Sequence, residues 1–195
     1  MRTLTYFVAV SLDGFVCAPD GSFDFLPHSE ESAAYHAREY PELIPTHIRS
    51  HIGLDGPNRR FDTMLQGRGS YQVALDEGIT SPYAHMRQYV LSRTLPKDTD
   101  PDVTVVDTDP LALVRSLKRE EGGLDLCLVG GPTAAGALLP EIDELMIKRY
   151  PVIAGAGKPF FDGAFAPAAF ERVRSTVLDS GADYTLFRRT APRTG

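Results

Sequence analysis

Leu124-Asp125-Leu126-Cys127-Leu128-Val129, followed at once by Gly130-Gly131-Pro132-Thr133, is the stretch that decides the fold class. Six mostly apolar residues are too few for a free-standing helix and read as a strand covered on both faces. The two glycines make a tight turn, and Pro132 at a first helical position opens a short helix to 139. Strand, glycine turn and helix in that order form half of a βαβ unit, the building block of parallel sheets.

The same pattern recurs on either side. Residues 61–66 form a strand that runs into Gly67-Arg68-Gly69-Ser70, the turn opening a helix to 77. Residues 87–91 form another strand, ending at Ser92-Arg93-Thr94, and 103–106 another. Asp109 as N-cap, Pro110, the apolar set Leu111, Val114 and Leu117, and the Gly122-Gly123 stop define a helix. Upstream, 3–10 is a central strand, 11–27 a long loop and 29–39 a helix. The stretch 40–58, broken by Pro41, Pro45, Gly53 and Gly56-Pro57, reads as an insert with one turn of helix near 46–51, suited to a lid. Downstream, 144–152, 170–178 and 183–189 are strands, the last two joined at Ser180-Gly181. The order β-α-β-α-β-β-α-β-α-β-β-β predicts an α/β fold of three αβα layers. Its mixed, mostly parallel sheet carries a C-terminal antiparallel hairpin. One domain over 1–190 and a frayed tail at 191–195 are expected.

Composition narrows the partners. With 20 Lys and Arg against 26 Asp and Glu, the net charge of -6 lacks the basic footprint that nucleic acid needs. No apolar run reaches membrane-spanning length. The 3–10 stretch leads into Asp13-Gly14 as a strand does, not into a signal-peptide cleavage site. The only cysteines, Cys17 and Cys127, sit far apart in apolar contexts and read as buried thiols of a cytoplasmic protein.

Ligands of open α/β sheets bind beyond the carboxyl ends of the parallel strands. There this chain places Ser11-Leu12-Asp13-Gly14, Gly67-Arg68-Gly69-Ser70, Ser92-Arg93-Thr94 and Gly130-Gly131-Pro132-Thr133. Glycines at helix starts let main-chain N–H groups meet an anion, and two such cradles suit a diphosphate. Arg68 and Arg93 add fork-shaped donors. Asp13 and Asp24 are the acids nearest the expected pocket. Asp13 is the preferred proton donor, with a purely turn-shaping role beside Gly14 as its equal alternative.

These motifs, with Leu91-Ser92-Arg93-Thr94-Leu95 and Gly155-Ala156-Gly157-Lys158-Pro159-Phe160, resemble the ordered set of the dihydrofolate reductase-like superfamily. The branch they resemble contains the C-terminal reductase domain of the bifunctional riboflavin biosynthesis protein. The resemblance spans nearly the whole chain and implies an eight-stranded sheet, NADPH as hydride donor and a homodimer. It implies that Ala9 lines the nicotinamide and that Asp13 and Gly14 belong to the loop closing over it. Gly67, Arg68, Gly69 and Ser70 would hold the diphosphate from one side and Gly130, Gly131 and Thr133 from the other, with Gly130-Gly131 cis. Arg93, flanked by Ser92 and Thr94, would bind the adenosine 2'-phosphate. The implied substrate is 5-amino-6-(5-phosphoribosylamino)uracil, its ribose opened to a ribityl chain, or a related small heterocycle or imine. The acid that folate enzymes place two residues after a Leu-Pro pair is absent: His28 and Ser29 follow Leu26-Pro27, which points away from folate.

Two other function classes stand beside this one. A nucleotide-binding protein without turnover would keep the same cradles. A metal hydrolase would use His47 and His51, four apart, but Ile48 replaces the required glutamate and no acidic third ligand is near, so no metal site is expected. Gly155 to Pro159 fails as a phosphate loop and Gly67-Arg68-Gly69 as a Rossmann fingerprint, since Gln72 stands at the third glycine. Phe23, Phe25, Phe160 and Phe161 read as core or pocket wall, and Arg59-Arg60 as a solvated pair.

Overall fold

The computed structural model describes residues 1–54 and 56–190; the tail expected at 191–195 lies outside the described residues. Eight strands form one sheet: β1 (Leu4–Val10), β3 (Phe61–Gly67), β4 (Arg87–Leu91), β5 (Val103–Val106), β6 (Asp125–Leu128), β7 (Glu144–Arg149), β9 (Phe170–Val177) and β10 (Asp183–Arg189). Their spatial order is β5-β4-β3-β6-β1-β7-β10-β9. Neighbours from β5 to β7 pair in parallel, and β10 runs antiparallel to both β7 and β9. The predicted order and hairpin are both present.

Helices α4 (Pro110–Arg119) and α5 (Pro132–Leu138) cover one face of the sheet. Asp109 caps α4 by accepting the N–H groups of Leu111 and Ala112 at 2.9 and 3.2 Å. Val114 and Leu117 are buried from it, roughly 1.5 to 3 kcal/mol each. Helices α1 (Glu30–Glu39) and α3 (Arg68–Asp76) cover the other face. Ser29 caps α1, its hydroxyl accepting the Ser32 N–H at 3.1 Å.

Some expectations need correction. The loop 11–27 contains a short strand, β2 (Phe15–Cys17), which pairs antiparallel with β8 (Lys158–Pro159) in a separate two-stranded ribbon. Neither half is long enough to show a period-2 pattern. The insert, with a 3₁₀ turn at Pro41–Leu43 and α2 (Thr46–His51), is anchored. Tyr40 and Leu43 are buried in the core, and the carboxylate of buried Glu42 accepts the N–H groups of Arg59 and Arg60. Nor is Arg60 merely solvated: it bonds the buried carboxylate of Glu144 at 2.6 Å. Cys127 is buried as expected, whereas Cys17 is half-buried.

Candidate active site

A gap in the main sheet creates the site. The β1–β6 ladder ends at the Tyr6–Leu128 pair, while β1 stays with β7 as far as Val10–Arg149. Beyond that pair the Val129 N–H turns to the Leu65 carbonyl at 3.0 Å, so the chain after β6 follows β3 and parts from β1. Thr3 faces β6 and Val10 faces β7 through their carbonyls, so alternation points the Phe7 carbonyl and the main-chain groups of Ala9 into the opening.

The gap leads into a cavity of about 650 Å³ lined by Phe7, Ala9, His36, Gln66, Ser70 and Gly130, among others. A second cavity of about 570 Å³ is lined by Gly67, Arg68, Ser92, Arg93, Thr94 and Thr133. Gly69, Gly131, Pro132 and Lys158 line both, which makes them two halves of one cleft. Eleven of the thirteen sequence-predicted site residues therefore come together.

The cradle between the halves is close-packed backbone. The Gly67 N–H donates to the Gly130 carbonyl at 2.7 Å, and a Cβ on Gly67 would lie 2.9 Å from Gly131 N. Gly130 has φ +105, and a Cβ there would meet Ser70 Oγ at 2.8 Å. The Gly130-Gly131 peptide is cis. Arg68 stands at the first position of α3, and its Nη1 is buried without a hydrogen-bond partner among the described residues. An orphaned guanidinium nitrogen beside two glycine turns is the donor set a diphosphate requires.

Asp13 and Gly14 are elsewhere. The Asp13 carboxylate accepts from the Ser11 hydroxyl at 2.6 Å and from the N–H groups of Ala154 and Gly155 at 3.0 and 2.8 Å. These bonds, the Ser11 hydroxyl first, hold it down at about 2. Asp13 lines neither half of the cleft, so its reading as proton donor gives way to its turn-shaping alternative. It ties the loop after β1 to the loop before β8. Gly14 packs against Phe160 in a separate cavity of about 200 Å³; residues of the ribbon and the loop after it, Val16, Cys17, Asp20 and Gly21, form the cleft wall instead. The buried Ser92 hydroxyl accepts the N–H groups of Thr94 and Leu95, so it shapes the loop that presents the exposed Arg93.

Three cleft residues escaped the sequence reading. Gln66 is 4% exposed and its Oε1 has no partner among the described residues. The signal for it was position, one residue before the Gly67 turn. Lys158 spans both halves and lay unassigned within a motif already quoted. His36 lies edge-on to Phe7 at 5.2 Å, and burial, then the charge of Lys148, lowers it to about 4. Among the described residues no helix is long and apolar enough to cross a membrane.

Comparison with known proteins identifies the family. The family model for the RibD C-terminal domain matches residues 2–184. The chain belongs to the RibD C-terminal domain family. Two proteins of Bacillus subtilis (strain 168) are similar to this family member, both described as uncharacterized. YwjB is 26% identical over 162 residues, covering 82% of this chain and 83% of its own. YyaP is 23% identical over 193 residues, covering 92% and 91%. Among solved structures, a Shewanella sp. PV-4 protein named for riboflavin biosynthesis superposes with a TM-score of 0.70 at 22% identity, covering 98% of this chain and all of its own. RibD of Acinetobacter baumannii gives 0.65 at 18%, this chain spanning 58% of it. Dihydrofolate reductase of Enterococcus faecalis, solved with NADP(H), gives 0.63 at 16% identity over 97% of each chain. At these identities the likeness shows the fold, which is dihydrofolate reductase-like.

Proposed function

We propose that this RibD C-terminal domain is an NADPH-dependent reductase of a small heterocyclic or imine substrate, with the ribosylamino-pyrimidine of riboflavin synthesis as the first candidate. The observation that carries it is the two-part cleft, whose halves meet at Gly69, Gly131, Pro132 and Lys158. A dinucleotide bridged by a diphosphate has that same division.

The residues fit such a cofactor. Gly67, Arg68, Gly69 and Ser70 face Gly130, Gly131 and Thr133 across the cradle and would hold the diphosphate together with Lys158. Arg93 and Thr94 would take a 2'-phosphate at the far end. Ala9, with its main chain open to the gap, would line the nicotinamide ring. When bound, the cofactor supplies a hydride. The chain supplies position and dryness: Phe7 and Val129 present apolar walls, and Gln66 offers an unpartnered carbonyl oxygen to a carboxamide or ring N–H. His36 is uncharged at neutral pH and meets the substrate as a neutral donor or acceptor. Asp13 acts at a distance by fixing the loops that form the cleft wall.

The test is calorimetry with NADP⁺ and NAD⁺, followed by NADPH oxidation with the candidate pyrimidine and a panel of cyclic imines. Preferential NADP⁺ uptake and substrate-dependent oxidation are expected. Cofactor binding without oxidation across the panel would favour a binding protein, and no uptake of either coenzyme would overturn the reading.

A further inference from the structure

Across β1 from the gap, a cation stands beside the residues that line the cleft. Lys148 on β7 stands in register with Ala9 on β1 and with Tyr184 on β10. Register partners share a face of the sheet, so Lys148 projects from the face that carries Phe7 and Ala9. Its ammonium lies 4.7 Å from the centre of the Tyr150 ring and 5.4 Å from that of Tyr184. It is half-buried, and among the described residues it makes no salt bridge and no hydrogen bond. Aromatic faces offset part of the cost of removing an ammonium from water but supply no counter-charge. The other charged side chains of β7 are matched: Glu144 with Arg60 and Arg188, Arg149 with Asp183. Lys148 is the exception, and it adjoins the residues that floor the cleft.

We propose, building on the reductase reading above but in place of its phosphorylated first candidate, that Lys148 anchors the carboxylate of a planar substrate whose ring rests on Phe7 and Ala9 beneath His36. A single ammonium balances one negative charge. A phosphate dianion in this aromatic surround would be left half-neutralised, so a carboxylate is the better match. Hydride acceptance adds electron density to a conjugated ring, and a fixed cation on that ring's carboxylate stabilises the charge as it grows.

The groups facing Lys148 leave it as the one titrating near neutral pH. Burial lowers Lys148 to about 8, and lowers His36 on α1 to about 4 with help from the Lys148 charge. Burial raises Tyr150 and Tyr184, and pushes Tyr40 up to about 12.

The experiment titrates orotate, a planar pyrimidine carboxylate, and uracil, its uncharged counterpart, into protein saturated with NADP⁺. At about pH 7 orotate is expected to bind about tenfold or more tightly than uracil. The preference should fade by about pH 9, below the ring N–H ionisation of both probes, vanish in Lys148→Met and persist at both pH values in Lys148→Arg. Equal binding of the two by wild type, or a preference kept by Lys148→Met, overturns the proposal. If Lys148→Met does not fold, the contrast in pH dependence between wild type and Lys148→Arg decides in its place. The NADP⁺ titration that precedes the experiment tests the reductase reading separately. Should NADP⁺ fail to bind, the orotate and uracil comparison on cofactor-free protein still judges Lys148.

Discussion

Adding one methyl group at Gly67 tests whether the close-packed turn is the cofactor cradle. A Cβ there would sit 2.9 Å from Gly131 N, 3.3 Å from Ala134 Cβ and 3.5 Å from the Gly130 carbonyl oxygen. The first contact is about half an ångström inside the 3.4 Å at which ordinary contact begins, and it falls on backbone that cannot rotate away. Overpacking of this kind costs about 1 to 3 kcal/mol. Backbone entropy returns about 0.4 to 1 kcal/mol, because Gly67 at φ -77 already has a conformation open to alanine. A chain of this size loses about 2 to 4 °C of Tm per kcal/mol, so Gly67→Ala should melt a few degrees lower. NADP⁺ affinity should fall about tenfold or more as the 130–131 turn is pushed aside. Gly69→Ala is the control: nothing lies within 4 Å of its Cβ and it sits inside α3, so it should gain about 0.5 to 1 kcal/mol. Thermal melts and calorimetry on the two variants measure both effects. If Gly67→Ala leaves melting and NADP⁺ binding untouched, or if Gly69→Ala harms the fold as much, the assignment of the cradle is wrong.

Other outcomes follow from the same geometry. Arg93→Ala should cut the preference for NADP⁺ over NAD⁺ by about ten- to a hundredfold, read by paired titrations; an unchanged ratio would place the 2'-phosphate elsewhere. Asp13→Asn should lower Tm above the ordinary carboxylate value of 3.8. The gap from wild type should close as pH falls toward about 2, because a depressed carboxylate stabilises only while ionised in the folded state. A constant gap down to that pH would refute it. His36 is depressed from 6.5 to about 4, so the folded state resists the protonation that the unfolded chain accepts. Wild type should lose stability as pH falls through that window, and His36→Phe should lose less, by melts at stepped pH.

The fold was legible where local chemistry and tertiary packing agree. Asp109-Pro110 capped a helix because those residues satisfy its first N–H groups wherever it lies, and the glycine turns sat at strand ends because tight βα connections need them. Most of the cradle was legible for the same reason. Asp13 was not, because an Asp-Gly pair reads alike whether its carboxylate faces a substrate or a distant N–H. Its partners, Ala154 and Gly155, are about 140 residues away. The ribbon of Phe15–Cys17 with Lys158–Pro159 hid for a related reason: its strands are three and two residues long. Gln66 and Lys148 stand in strands whose alternation gives the face but not the neighbour, so their missing partners emerged only from packing.

Lys158 contributes to both chambers of the cleft while hydrogen-bonded register ties it to Cys17, which lines the larger one. A shift of this one side chain to suit an occupant on one side alters the boundary offered to the other. The two ends of one dinucleotide would then be coupled through that side chain, so that a change at one end is felt at the other. How firmly each end is seated becomes a property of a ribbon five residues in extent.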